Sequence, residues 1–338
     1  MSARMHAIVQ SAFGGPEVLV HTEVDVPEPG PGEVLVRVAG AGVNPGDAIL
    51  RSGRVPELVT LPWTPGNDVA GVVERVGAGV TRFSPGDRVY GMTALGRRGA
   101  YAEYTAVPAD VLAAAPANLD LVHAGGLPLV AFTAWQALAV LARVRPGDRV
   151  LIHAAAGGVG HVAVQLAKDL GAHVIGTARA ARHALLRELG ADELVDHSTT
   201  DFRTAVAPVD TVLDLVGGAY GPRSLDVLRP GGLLVGASID PGTDERRAAA
   251  RGLRYVWVTA EPSGEVLEGI TERVEAGRLR LVVQRTYPLA EAAEAHRAIE
   301  SKRTTGKIVL TPTASPLTEP PRPPGSRRTP QGLRPLRP

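Results

Sequence analysis

Thirteen residues near the middle of the chain can do chemistry through their backbone alone: Leu151-Ile152-His153-Ala154-Ala155-Ala156-Gly157-Gly158-Val159-Gly160-His161-Val162-Ala163. An apolar strand runs into a glycine turn that opens a helix. Gly157 lets the main chain approach a pyrophosphate, Gly160 lets helix and strand pack closely, and the helix N-terminus points free N–H groups at an anion. Ala156, Gly158 and Val159 complete the loop, while Ala155 replaces the first glycine of G-x-G-x-x-G. A lone match of this kind is equally compatible with an ordinary strand-to-helix turn; its setting among alternating strands and helices argues for the nucleotide.

The following strand bears on which dinucleotide is bound. An NAD site places Asp or Glu about 20 residues beyond the glycines to accept the ribose 2′-hydroxyl. Here the strand ends Ile175-Gly176-Thr177-Ala178-Arg179-Ala180-Ala181-Arg182-His183, with no acid and two arginines. Arg179 and Arg182 suit a 2′-phosphate, which implies NADPH; two solvated arginines at a helix start are the alternative. His197, just past the third strand, is a further basic candidate or a plain surface histidine. His153 reads as a packed histidine rather than a catalytic one.

Certain elements must position these groups. From Met5 to about Val122, short strand candidates are broken by Gly and Pro: 6–10, 34–38, 69–76, 88–90 and 101–107. They predict a β-barrel-like domain. After Pro116 come a helix-forming stretch, 127–142, and then strands at 149–153, 173–178, 193–196, 211–215, 233–237 and 254–258. Helices at 158–170, 182–189 and 224–228 alternate with them. This pattern predicts a doubly wound parallel sheet, an α/β fold. Beyond Glu261 the alternation stops, leaving an amphipathic helix over 289–300 and a last strand over 307–310. The expected domains are therefore 1–122 with 260–312, an inserted nucleotide domain at 123–259, and a disordered Pro/Arg-rich tail at 313–338. Residues 312–338 hold nine prolines without periodicity, a composition that fits disorder or a proline-rich ligand for a partner domain.

Bulk properties narrow the class. A chain of 338 residues exceeds the roughly 250–300 at which one core stops growing, so two domains are expected. Formal charge is only +1 and no basic face stands out, which disfavours nucleic acid as a partner. No cysteine is present, so disulfides, thiol nucleophiles and cysteine-ligated zinc are excluded. No apolar run has the length of a membrane span, and a cytoplasmic protein without membrane attachment is expected.

Further segments carry a resemblance: Gly42-Val43-Asn44-Pro45-Gly46-Asp47, Pro65-Gly66-Asn67-Asp68-Val69-Ala70-Gly71-Val72-Val73, Phe132-Thr133-Ala134-Trp135 and Gly306-Lys307-Ile308-Val309-Leu310, together with the glycine loop. With these the chain resembles the zinc-independent quinone oxidoreductase branch of the medium-chain dehydrogenase/reductase superfamily, from Met5 to Pro312. The resemblance implies a GroES-like β-barrel catalytic domain, a Rossmann domain, NADPH in the cleft between them and a homodimer joined through the nucleotide domains. It places Asn44 beside nicotinamide and substrate, where its amide would donate to a developing enolate or hydroquinone oxygen; an Asn-Pro turn with a structural amide is the alternative reading. It places Thr133 near the nicotinamide and diphosphate, and Ala237 and Ser238 near the carboxamide. Zinc-dependent relatives would carry Cys near Asn44 and His at Asn67, so the expected reaction is metal-free hydride transfer to a quinone or an α,β-unsaturated carbonyl. Related reductases often hold Tyr or Lys five residues after the Asn; Ile49 stands there, leaving the proton donor open. A dedicated biosynthetic enoyl reductase and a non-catalytic NADPH-binding protein are the competing readings.

Overall fold

The structure, a computed structural model, describes residues 3–94, 96 and 99–312. An antiparallel hairpin of β1 (Arg4–Val9) and β2 (Val20–Asp25) precedes a set of strands broken by tight turns: β3 (Glu33–Val43), β4 (Asp68–Val76), β5 (Arg88–Met92), β6 (Tyr104–Pro108) and β7 (Leu112–Ala114). Their alternating valines point into one core of Ile8, Val36, Val38, Tyr101 and Leu310.

The next six strands form the parallel sheet: β8 (Arg149–Ile152), β9 (His173–Ala178), β10 (Glu193–Asp196), β11 (Val209–Asp214), β12 (Leu228–Gly236) and β13 (Arg254–Trp257). Their order is β10-β9-β8-β11-β12-β13, with every pair parallel. Helices cover both faces, which is why β8 and β9 are almost continuously buried. The order reverses between β8 and β11, the switch point outside whose carboxyl strand ends sheets of this kind bind their ligands.

The chain then returns to the first sheet. Strand β14 (Val283–Pro288) pairs parallel with β15 (Lys307–Thr311), which pairs antiparallel with β3. Ala70, Tyr90 and Met92 of the barrel share one apolar cluster with Phe132, Leu138 and Ile152, so the two sheets meet across a continuous core.

Three sequence expectations change. The helix expected over 224–228 is displaced: it spans Tyr220–Ser224, residues 225–227 are not helical, and Leu228 already starts β12. Pro222 is tolerated only in a helix's first turn, so the helix must start before it. Alternation does not stop at Glu261, because a helix spans Gly264–Glu275 with Ser263 accepting from the Val266 N–H at 3.3 Å. The expected strand over 101–107 begins only at Tyr104, and Tyr101 lies in the bend before it, its ring wholly buried. The expected disordered tail, 313–338, lies outside the described residues.

Candidate active site

The glycine loop leaves β8 and opens the helix Gly158–Asp169, with Gly157 at its N-cap and no side chain capping it. The first N–H groups of that helix, at the switch point of the sheet, therefore have no capping side-chain acceptor, as an anion site requires. A Cβ on Gly160 would lie 2.7 Å from Ala155 Cα and would also strike the Ala154 carbonyl, so only glycine allows this helix to sit against the strand. At Gly157 the only atom of the described residues that a Cβ would crowd is the Ala154 carbonyl oxygen, at 3.2 Å, so that position is otherwise open. Ala156 is buried, whereas Gly158 and Val159 are half-buried. These residues fit a dinucleotide diphosphate.

Arg179 and Arg182 sit at the end of β9, exposed, and neither pairs with a carboxylate among the described residues. Asp196 ties their turn to the next one: its Oδ2 accepts from the Ala180 N–H at 3.1 Å, and its Oδ1 from Ser198 N and Oγ at 2.9 and 2.6 Å. The exposed His197 lies between Asp196 and Ser198 in the second of these turns. Asp196, which no motif in the sequence singles out, is committed to holding these turns.

Ala237 and Ser238 follow β12, half-buried; the Ala237 N–H donates to Asp214 O at 3.0 Å, and Ser238 packs close against Gly217. Thr133, 7 % exposed, donates from Oγ1 to the Leu129 carbonyl at 2.8 Å. His153 is fully buried between Thr177 Oγ1 at 3.1 Å and Ser224 Oγ at 3.0 Å, and burial pushes its pKa down to about 3. It is a neutral packed ring.

Asn44 ends β3 and starts the helix Pro45–Arg51. Its amide is only 1 % exposed; Nδ2 donates to Asp68 Oδ2 at 2.9 Å, with Gly42 O at 3.5 Å. The Lys307 ammonium donates to Asn44 Oδ1 and to Val43 O at 3.2 Å, and lies 3.5 Å from Asp68 Oδ2. Three acceptors therefore surround its three hydrogens. Burial pushes Lys307 down and Asp68 up, and the close pair opposes both shifts. Asp68 Oδ1 accepts from the Leu129 N–H at 2.7 Å, at the start of the helix that carries Thr133. The Lys307 stem passes the glycine loop, 3.3 Å from where a Gly158 Cβ would stand. Lys307 thus joins Asn44, Asp68 and the dinucleotide loop. In the sequence it stands only as part of a motif, since its partners lie more than 200 residues away.

This donor set does not fit zinc. Asn44 already faces an ammonium, and Asn67 Nδ2 donates to Thr93 O and Ala94 O at 3.2 and 3.0 Å. Among the described residues no group of three or more His, Cys, Asp or Glu is gathered for a metal.

A parallel sheet in this order, a glycine loop at its switch point and a GroES-like barrel closing over it define a two-domain, nicotinamide-dinucleotide-binding oxidoreductase. Residues 30–117 match the family profile described as "Alcohol dehydrogenase GroES-like domain", and residues 189–310 the one described as "Zinc-binding dehydrogenase". A 2-haloacrylate reductase of Burkholderia sp is 40% identical over 325 residues, 89% of this chain and 97% of that protein. The structure of the quinone oxidoreductase from Coxiella burnetii superposes with a TM-score of 0.87 at 35% identity, covering 91% of this chain and 99% of that one. A mycobacterial structure complexed with NADPH does so with a TM-score of 0.84 at 34% identity, covering 91% and 100%. The chain belongs to the quinone oxidoreductase branch of the medium-chain dehydrogenase/reductase superfamily.

Proposed function

We propose that the protein uses NADPH to reduce a quinone or an α,β-unsaturated carbonyl by direct hydride transfer, with no metal taking part. The observation that carries the choice of NADPH is the pair Arg179 and Arg182, exposed at the end of β9 with neither paired to a carboxylate among the described residues; the carboxylate at this corner, Asp196, is taken up by the Ala180 and Ser198 donors, where an NAD site needs an acid free for the ribose. When bound, the cofactor supplies the hydride. The residues of the chain do the rest: the uncapped helix start and Gly157 hold the diphosphate, and the arginines grip the 2′-phosphate. Ala237 and Ser238 orient the carboxamide, while Thr133 and the Asn44 turn shape the floor beneath the reacting ring. Without a metal, the acceptor must already be electrophilic, so that charge arriving with the hydride spreads onto its own oxygen. Asn44 can donate to that oxygen only by re-aiming an amide hydrogen now directed at Asp68 or Gly42.

Steady-state oxidation of NADPH and NADH against simple quinones, enones and 2-haloacrylates, the last suggested by the Burkholderia relative, tests the proposal. Turnover with NADPH and at least one of these acceptors is expected, and cofactor binding without turnover on any of them overturns it. Replacing both Arg179 and Arg182 by Ala should raise the NADPH Michaelis constant more than tenfold while leaving that for NADH nearly unchanged, since each charge-assisted hydrogen bond to the phosphate is worth about 1.5–3 kcal/mol. Equal effects on the two cofactors would refute the phosphate assignment.

A further inference from the structure

A buried polar chain runs from the surface of the helix Ala292–Glu300 to the Asn44 turn, and the mechanism above does not use it. Glu300 Oε1 accepts from Arg51 at 2.6 Å, and the same guanidinium donates to His296 Nδ1 at 3.1 Å. His296 Nε2 stands 3.3 Å from the Tyr101 hydroxyl, which donates to Asp47 Oδ2 at 3.1 Å. That oxygen also accepts from the Asn44 backbone N–H at 2.8 Å. Arg51, Asp47, Tyr101 and His296 are all buried.

Chemistry fixes the direction of the chain. A guanidinium only donates, so His296 Nδ1 is bare and its hydrogen sits on Nε2. That N–H meets the Tyr101 oxygen, leaving the phenol hydrogen for Asp47. The carboxylate ends the chain, and its other oxygen, Oδ1, has no hydrogen-bond partner among the described residues. Buried polar groups of this kind add little net stability over apolar packing. What they do fix is geometry.

We propose that Tyr101 and His296 are positioning residues for hydride transfer, acting through the ionised Asp47 carboxylate to hold the turn at Asn44. The inference rests on the reading that this turn lies beneath the reacting ring. Burial opposes ionisation and pushes the Asp47 carboxyl up to about 7. The charged and donor groups facing it are the Asn44 N–H, Asp68 of β4, Lys307 of β15 and Tyr101. Arg51 and Glu300 stand behind His296. Turnover therefore rises as pH climbs through neutrality, and loss of the Tyr101 hydroxyl makes ionisation harder.

The test measures kcat, KM and the NADPH dissociation constant across the neutral range. Tyr101→Phe should move the acid limb of kcat upward by about one pH unit, with KM and NADPH affinity within about threefold of wild type. His296→Leu should shift the limb in the same direction. His296→Gln should restore the wild-type profile, because Oε1 can accept from Arg51 and Nε2 can donate to Tyr101; the His296 pair carries the test should Tyr101→Phe not fold. A limb that stays in place while kcat drops equally at every pH would show a merely structural role and overturn the inference alone. A wild-type enzyme that binds NADPH yet turns over no acceptor overturns this inference together with the functional reading.

Discussion

A single methyl group is the smallest probe of the dinucleotide loop. Gly160 faces Ala155 Cα and the Ala154 carbonyl, both backbone atoms that cannot swing aside, so Gly160→Ala must push the helix off the strand. The expected cost is about 1–3 kcal/mol of stability, as for other overpacked sites, together with at least tenfold weaker NADPH binding as the helix N-terminus moves off the diphosphate. Thermal unfolding and fluorescence titration would measure both; an unaltered dissociation constant would mean that the loop does not hold the cofactor. The control is Gly158→Ala, whose new methyl meets the Lys307 stem at 3.3 Å and Gly306 O of the backbone only at 3.6 Å, and should cost far less stability. Positions legible in the sequence are those where local backbone need selects the residue type, as at Gly157 and Gly160. Lys307, Tyr101 and His296 leave no such trace, because a buried ammonium, phenol or imidazole acquires its role from partners brought together by the fold.

Among the elements, the nucleotide helix is held from its far side as well as by its own strand. His161 Nε2 accepts from the Val282 N–H at 3.1 Å, which forces the ring hydrogen onto Nδ1, 2.8 Å from Gly157 O. One turn on, Gln165 exchanges two bonds with the Arg280 backbone at 2.8 and 3.0 Å, and the Gly306 N–H donates to Ala156 O at 2.8 Å. The loop before β14 therefore acts as a splint along the cofactor helix. His161→Leu would strand the Val282 N–H, at a cost of about 1–3 kcal/mol, and would remove the ring's tie to Gly157 O, which keeps the His161 backbone N–H as a donor at 3.1 Å. Denaturant unfolding should show a loss of about 1–3 kcal/mol with weaker NADPH binding, and unchanged stability would mean that this loop does not splint the helix. Most of this architecture is legible as pattern: β9 falls on its expected residues because a strand buried on both faces reads as an apolar run, and the shorter edge strand β10 falls on its own as well. The helix Gly264–Glu275 is readable too, from Ser263 and the spacing of Leu267, Ile270 and Val274, yet the apparent end of the alternation hides it. Strand β14 gives no signal, being mostly exposed and held chiefly by its partner β15.

On the scale of the whole molecule, three histidines buried as neutral rings in different parts of the fold each weaken stability in acid. Burial lowers His153 and His296 to about 3 and His161 to about 4, against 6.5 for an exposed ring. Each has its folded pKa depressed, so the unfolded chain binds more protons between these values. The stability they confer is complete above about 6.5 and is lost as pH falls toward 4, by up to about 1.4 kcal/mol per pH unit for each ring. Asp47 works the other way, since its folded value near 7 lies above that of the unfolded carboxyl and folding binds its proton in the same window. The raised Asp68 and Asp214 carboxyls add to that opposition. A bare acid titration of stability thus mixes both signs, and a single substitution must isolate one of them. His153→Asn keeps an acceptor for Thr177 and a donor for Ser224 but cannot titrate. Its unfolding free energy, measured by urea titration between pH 6.5 and 4, should fall less steeply than that of wild type by up to about 1.4 kcal/mol per unit. Parallel slopes for the two proteins would show that the ring between β8 and β9 takes up its proton without unfolding, and that this part of the nucleotide domain opens more readily than its packing implies.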